Sequence, residues 1–317
     1  MKKNQEIAKL LRLALGEKVK ENIPLSSYTT FGIGGPARFF YPAASNQEIQ
    51  EAVYWAREIF SLPYFILGGG SNILVSDQGF PGLVIKIATQ KIEVNKEKII
   101  AEAGVPLSLV VNKAKENCLS GLECCVGIPG SLGGAINGNA GAKDSWIGKR
   151  VEWVDILDKN GKVKKIEQKN CQFGYRSSRF KKHPEEIILK ACLKLKKEKK
   201  EIISQQEALF LTKRRGQPKE RSAGSVFKNP PGDAAGRLID LAGLKGKKKG
   251  EAQISPQHAN FIVNLGRARA SDVLYLMRLA QDSVWKKFGV KLEPEIKLVG
   301  FNIIKSRNHK ITRSRNH

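Results

Sequence analysis

The chain has 317 residues, with 55 Lys+Arg against 30 Asp+Glu, a net charge of +25 and 41% hydrophobic residues. That much apolar material supplies real cores and excludes disorder along the whole length, and the size suggests two domains. The positive excess points to an anionic partner, which a nucleotide substrate or phosphate-bearing cofactor satisfies as well as a nucleic acid does.

Ile7, Leu10, Leu11, Ala14 and Leu15, interrupted by Lys9 and Arg12, predict an amphipathic N-terminal helix within residues 1–20, not a secretory signal. The glycines of Thr30–Tyr41 give way to an aromatic strand. Asn46–Phe60 has helical spacing, with Ile49, Val53, Ala56 and Ile59 on one face. Pro63–Leu67 is a short apolar strand running straight into Gly68-Gly-Gly-Ser-Asn72. Ile73–Val75 and Leu83–Ile87 read as strands and Pro106–Asn117 as a helix. Val151–Leu157 and Lys162–Ile166 flank Asp158-Lys-Asn-Gly161, a strong hairpin signal. Ile187–Leu195 is a further strand.

Lys196–Glu201 reads as a solvated charged connector. Beyond it the spacing predicts helices at Gln205–Arg214 and Asp233–Ala242 and a strand at Phe261–Asn264. Another helix runs to about Phe288, capped by Ser271 and burying Val273, Leu276, Met277, Ala280 and Val284. Leu292–Val299 is a last strand, and residues 302–317 form a basic tail expected to be disordered.

The five cysteines (Cys118, Cys124, Cys125, Cys171, Cys192) are odd in number and lack a C-x-x-C pair. Neither a disulfide framework nor a zinc site is favoured, no metal is expected, and a reducing compartment fits. The uncharged stretch Cys124–Ala142 is long enough to span a membrane, but its many glycines and amides make a poor spanning helix. It reads instead as a loop system with something bound against it, in a soluble, cytoplasmic protein. Neither this stretch nor Gly68–Asn72 fits G-x-G-x-x-G or a P-loop, so no standard Rossmann or Walker site is supported. Glycine lets backbone approach a ligand and lets several N–H groups converge on phosphate. Two long glycine-rich loops therefore point to a dinucleotide-sized cofactor.

Those two loops, with Gln172–Arg179, Ala223–Pro230, His258–Asn264 and Leu292–Ile296, resemble the UDP-N-acetylenolpyruvoylglucosamine reductase family in order and spacing over roughly residues 20–300. The resemblance implies an α+β fold of the vanillyl-alcohol-oxidase (PCMH-like) FAD-binding type. Residues 21–197 would form two α+β subdomains around the flavin, and residues 198–301 a C-terminal α+β substrate-binding domain. No tyrosine-bearing insertion is evident between Leu195 and Ser225, which favours the family's shorter form. The implied FAD-binding residues are Gly68, Gly69, Gly70, Ser71 and Asn72, then Gly127, Pro129, Gly130, Ser131, Gly133, Gly134, Ala135, Asn137, Gly138, Asn139 and Gly141. No histidine occurs between Met1 and Lys182, which removes the usual attachment residue and favours noncovalent FAD.

The implied reaction is NADPH-dependent reduction of the enolpyruvyl ether of UDP-N-acetylglucosamine to UDP-N-acetylmuramate, for peptidoglycan synthesis. Hydride addition to the terminal carbon leaves negative charge on the carbon beside the carboxylate. That charge needs a fixed cation and a poised acid. By the family's motifs, Ser225 is the proton donor and Arg176 and Glu295 are the other catalytic residues. On local pattern alone, Ser225 reads as a turn serine and Arg176 as a surface charge, and the choice of Glu295 over Glu293 rests on the motif. Tyr175, Lys228 and Asn229 are candidate substrate residues. Arg214 and Arg215 face the UDP pyrophosphate or form a helix C-terminal charge cluster, and His258 contacts substrate or simply packs. Lys245–Gly250 reads as a solvated loop. The implied partner is a UDP-sugar, with no membrane and no specific nucleic acid, acting on a monomer or weak oligomer. The rivals are an FAD oxidase or dehydrogenase of the same fold on another substrate, and a basic nucleic-acid-binding protein. The latter lacks any recognition motif.

Overall fold

The computed structural model describes residues 2–142 and 145–301, with side chains from residue 5. The expected basic tail, residues 302–317, lies outside the described residues.

The first part begins with α1 (Lys2–Leu15), which buries Ala8, Leu11 and Leu15 and leaves Leu10 and Leu13 exposed. Then come β1 (Lys20–Pro24), β2 (Pro36–Ala43), α2 (Asn46–Tyr54), β3 (Tyr64–Leu67), β4 (Ile73–Val75) and β5 (Phe80–Ile87). The sheet order is β1-β2-β5-β3. β5 is parallel to both β2 and β3, and β1 is antiparallel at the edge. Ser45 caps α2 by accepting from Glu48 N–H, and Glu48 accepts from Ala44 N–H in return. The expected buried face of this helix fails at its end, where Ile59 is exposed. Residues 55–59 form a π turn, with Phe60 N–H reaching Trp55 C=O. The extra residue in that turn swings Ile59 out, and Leu62 fills the core instead.

The second part contains β6 (Ile92–Asn95), β7 (Lys98–Glu102), α3 (Leu107–Glu116), β8 (Leu119–Ser120), α4 (Leu132–Gly138), β9 (Gly141–Ala142), β10 (Ser145–Trp146), β11 (Val151–Leu157), β12 (Val163–Glu167), α5 (Arg179–Lys182), β13 (Ile187–Lys194) and β14 (Lys196–Lys197). Its antiparallel sheet runs β12-β11-β13-β7-β6. The expected hairpin is present, with Asp158 Oδ1 accepting from Asn160 and Lys162 N–H in its turn. One continuous core joins α1, α2, α3 and α4 to this sheet and to one face of the first. The segment read as a free charged connector is instead structured: β14 pairs with β8, and the next helix starts at Lys200. The stretch read as a loop system contains α4, whose Leu132 and Ile136 are fully buried and whose Ser131 side chain accepts from Gly134 N–H.

The third part comprises α6 (Lys200–Thr212), α7 (Ala235–Leu241), β15 (Lys248–Lys249), β16 (Ala252–Ile254), β17 (Ile262–Asn264), α8 (Ala270–Phe288) and β18 (Lys297–Val299). α6 buries Ile203 and packs Phe210 against the first core. β15, β16 and β17 form a sheet, so the lysine-rich loop is partly strand. A second core gathers α7, α8 and this sheet, and it takes in Phe31, Ile33 and Leu74 from the first part. β18 lies parallel to β4, and together they form a separate two-stranded sheet.

Ser271 does not cap α8; it lies within the helix, and the N-cap residue is Arg269. The cap comes from across the molecule, where Asp77 accepts from Ala270 N–H at 2.7 Å and Ser271 N–H at 3.0 Å. Its carboxylate satisfies two of the helix's orphan amides and opposes the positive end of the helix dipole. Asp77→Ala should lower stability by about 0.5–2 kcal/mol. Thermal denaturation beside Asp77→Asn reads this; an unchanged melting temperature for Asp77→Ala would show that water serves those amides equally well.

Candidate active site

Gly68–Asn72 joins β3 to β4, and the second glycine run wraps the start of α4. The two loops touch: Ser71 Oγ donates to Pro129 C=O at 2.9 Å, and a Cβ on Gly69 would stand 2.4 Å from Gly130 Cα. Gly70, at φ +68°, presses so closely on Tyr28 that a Cβ would lie 1.9 Å from its carbonyl oxygen. These glycines are required by backbone contact. Two others are not. A Cβ on Gly138 would meet nothing within 4 Å, and one on Gly134 only Ser131 Oγ at 3.5 Å. Glycine inside a helix costs about 0.5–1 kcal/mol against alanine. Internal packing gives no reason to retain it at either position, whereas a ligand lying on that face of α4 does. Beneath the first loop, the half-buried Lys86 ammonium donates to Gly68 C=O, and burial lowers its pKa. Among the described residues no carboxylate pairs with it, so it leaves positive charge under the loop. No local residue pattern marks Lys86 out.

Several expected cofactor residues have packing duties of their own. Gly133 lies against Ala103, Gly141 against Trp146, and Ala135 is buried. Asn139 ends α4 at φ +48°; its Oδ1 accepts from Gly148 N–H, and its Nδ2 donates to Gly174 C=O at 2.8 Å. That last bond ties the glycine-rich loop to the turn bearing Arg176.

Gly174 and Ser177 close this turn with mutual backbone hydrogen bonds, leaving Tyr175 and Arg176 at its tip. Arg176 has φ +51°, a left-handed conformation costing roughly 1–2 kcal/mol for a residue with a side chain. Strain of this kind persists where the surroundings hold it, and it concentrates at functional sites. Arg176 Nε lies 2.9 Å from Glu295 Oε1. The contact is ionic without hydrogen-bond alignment, since Nε is buried with no acceptor in bonding geometry. Nη1 donates to Gly141 C=O at 3.4 Å.

Glu295 hangs from the third part. Its N–H donates to Val226 C=O, the residue after Ser225, while its own C=O accepts from Asn72 Nδ2 at 3.4 Å. Lys297 N–H donates to Asn72 C=O. One short segment thus joins the first glycine loop, Arg176 and the Ser225 strand. Burial raises the Glu295 pKa, opposed by the charges of Arg176, Lys181 and Lys228. The side chain of Glu295 is 12% exposed, whereas that of Glu293 is 68% exposed and paired with Lys228 at 2.5 Å. Geometry therefore separates two glutamates that spacing alone could not.

Ser225 pairs with Phe261 in an isolated bridge and is half-buried, and its hydroxyl has no partner among the described residues. The next residues are clamped: Asn260 accepts from Phe227 N–H and donates to Phe227 C=O, at 2.9 and 2.8 Å. The Tyr175 hydroxyl accepts from Asn229 N–H at 3.3 Å, and Asn229 Oδ1 accepts from Ala235 N–H at the start of α7. Arg214 lies along Gly127, with its Nε buried and unpartnered, and burial and Arg176 lower its pKa. Arg215 is exposed. His258 packs on Gly236 and Phe261, its Nδ1 accepts from Asn260 N–H, and burial lowers its pKa. These contacts give it a packing role. Lys181, missed in the sequence, stands among Arg176, Lys228, Glu293 and Glu295.

Two touching glycine loops, an open glycine face and a charged cluster across from them define an FAD-binding oxidoreductase fold. The FAD binding domain model matches residues 36–167, and the model of the UDP-N-acetylenolpyruvoylglucosamine reductase C-terminal domain matches residues 217–299. The chain is 39% identical over 297 residues to the UDP-N-acetylenolpyruvoylglucosamine reductase of Clostridium tetani, covering 93% of this chain and 96% of that one. It is 45% identical over 284 residues to that of Caldicellulosiruptor bescii, covering 87% and 89%. The solved structure of UDP-N-acetylenolpyruvylglucosamine reductase from Thermus caldophilus superposes with a TM-score of 0.78 at 40% identity, covering 88% of this chain and 98% of that one. The chain belongs to the UDP-N-acetylenolpyruvoylglucosamine reductase family. Among the described residues no helix is long and apolar enough to cross a membrane.

Proposed function

We propose that the protein reduces the enolpyruvyl ether of UDP-N-acetylglucosamine to UDP-N-acetylmuramate, with NADPH as reductant, FAD as cofactor and Ser225, Arg176 and Glu295 as catalytic residues. The observation that carries this reading is the cluster itself: a strained arginine and a largely buried glutamate in ionic contact, joined by hydrogen bonds to a glycine loop and to Val226, next to Ser225, whose hydroxyl has no partner among the described residues. FAD, once bound and reduced by NADPH, would supply the hydride that adds to the terminal carbon of the double bond.

The substrate carboxylate is placed against Arg176, whose planar fork suits an anion of rising charge. Glu295 in its protonated form donates to that carboxylate, and its raised pKa favours this form. Ser225 gives its hydroxyl proton to the carbon beside the carboxylate. A serine is a weak acid, but the developing carbanion is a stronger base than an alkoxide, so the transfer runs downhill. Tyr175, Lys228, Asn229 and Arg214 ring the approach and are assigned to the UDP-sugar, with Arg214 facing its pyrophosphate; His258 supports the Asn260 clamp. In this scheme residues 21–197 carry the flavin and residues 198–301 bind the substrate. The protein works in the cytoplasm as a monomer or weak oligomer, without a membrane or nucleic-acid partner.

The purified protein should be yellow. Acid precipitation should release its FAD into the supernatant, because the glycine-rich half offers no histidine for a covalent link. Colour held wholly in the pellet would contradict noncovalent binding. NADPH oxidation that depends on the enolpyruvyl substrate and yields the lactyl ether is the decisive assay; flavin reduction by NADPH without turnover of this substrate would favour an oxidase or dehydrogenase acting on another.

A further inference from the structure

We propose that Lys181 is a positioning residue for this reaction, holding the Tyr175–Arg176 turn so that the Arg176 guanidinium is aimed at the substrate carboxylate. The proposal rests on the assignment of Arg176 given above. Lys181 Nζ donates to the Arg176 carbonyl oxygen at 3.1 Å. In the left-handed conformation of Arg176 that carbonyl is turned out of the hairpin, whose two rungs are made by Gly174 and Ser177 alone. Lys181 is its partner among the described residues.

The lysine stands on a rigid mount. Ser178 is fully buried; its hydroxyl donates to Asn137 C=O at 2.7 Å and accepts from Lys181 N–H at 3.3 Å. Phe180 is buried beside it, and Arg179 grips Glu186 with two hydrogen bonds of 2.8 and 2.7 Å. α5 is thereby fastened to α4 on one side and to the approach to β13 on the other. An ammonium held this firmly does not behave as a surface charge.

Its surroundings are unfavourable to a cation kept merely for packing. The charged groups facing it are Arg176 from the turn, Lys228 from the Ser225 segment, and Glu293 and Glu295 from the segment before β18. Burial, then Lys228, lower its pKa, and Glu295 and Glu293 oppose the shift. A methionine would fill the same space without repulsion from Arg176 and Lys228. What it would lack is a donor for the Arg176 carbonyl and a positive charge that falls away at high pH. Because burial lowers its pKa, this charge is lost as pH rises sooner than an ordinary lysine would lose it. The neutral amine holds the carbonyl more weakly, so the site loosens on the alkaline side.

The test uses flavin-loaded full-length enzyme, comparing parent, Lys181→Met, Lys181→Arg and Arg176→Ala. Lys181→Met should keep the parent's FAD content, slow flavin reoxidation by the enolpyruvyl substrate tenfold or more relative to flavin reduction by NADPH, and lose the alkaline limb of the reoxidation profile. Lys181→Arg, which keeps a donor and a charge, should recover most of the rate and carry the limb to higher pH. Parental reoxidation with a parental limb in Lys181→Met would overturn the proposal. So would loss of FAD and an equal slowing of both half-reactions in both lysine variants, which would mark a packing role only. If Arg176→Ala reoxidises at the parental rate, it is the Arg176 assignment that fails; if Arg176→Ala is slow while Lys181→Met is not, only the Lys181 proposal fails.

Discussion

Ser225→Ala should be reduced by NADPH at the parental rate and then reoxidised by the enolpyruvyl substrate 10²–10⁴-fold more slowly, about the worth of a positioned acid. Flavin binding should survive, because the structure gives the hydroxyl no partner among the described residues and the backbone here is fixed through Phe261, Asn260 and Glu295. Ser225→Cys should recover part of the loss, since a thiol also donates a proton. Stopped-flow absorbance of the flavin separates the two half-reactions. Parental reoxidation in Ser225→Ala would remove Ser225 as the acid and make Lys228 or a bound water the next candidate.

Arg176→Ala should cost on the order of 10²–10³ in reoxidation, the range for deleting one donor that stabilises developing negative charge. Arg176→Lys keeps a charge but not the planar fork, and should raise substrate KM while recovering only part of the rate. The pH dependence gives an independent reading. Arg176 is foremost among the groups that lower the Glu295 pKa against burial. Without it Glu295 should hold its proton to higher pH, moving the carboxyl-dependent limb of the profile to the alkaline side. The sign carries over to stability. A carboxyl that keeps its proton longer in the folded than in the unfolded chain weakens the fold as pH rises through the interval between the two pKa values. Removing Arg176 widens that interval. A limb that stayed in place would detach Glu295 from this role.

The parts of the fold written in local pattern were legible. The Asp158–Gly161 turn announces its hairpin through an Asp side chain bonded to its own turn and an Asn-Gly pair. The glycine loops, and the motifs proposed to carry catalysis, stood out through their resemblance to the family in order and spacing, and the chain brings Arg176, Glu295 and the Ser225 segment together. What was hidden depended on contacts distant in sequence. α4 carries three glycines in seven residues, so its propensity argues for a loop; burial of Leu132 and Ile136 and the Ser131 cap override it. The cap of α8 was sought in Ser271 because a cap is normally local, but it comes from Asp77. Lys181 and Lys86 could not be told apart from the many other basic residues in a chain with 55 of them. Their distinguishing feature is burial against one particular carbonyl, and no short motif records that.

The pairing of β4 with β18 bears on how the protein comes into being. Ile73–Val75 leaves the ribosome directly behind the first glycine loop, yet its ladder partner Lys297–Val299 is made only after the whole intervening chain. Until then β4 has no neighbouring strand among the described residues, and Asn72 lacks both the carbonyl of Glu295 and the amide of Lys297. The family model of the third part ends at residue 299, the last residue of that strand. Nascent chains stalled before this point would carry an unfinished glycine loop and an open strand edge. Flavin capture should therefore wait until residues 297–299 have been made, and chains terminated before them should be easy prey for proteases.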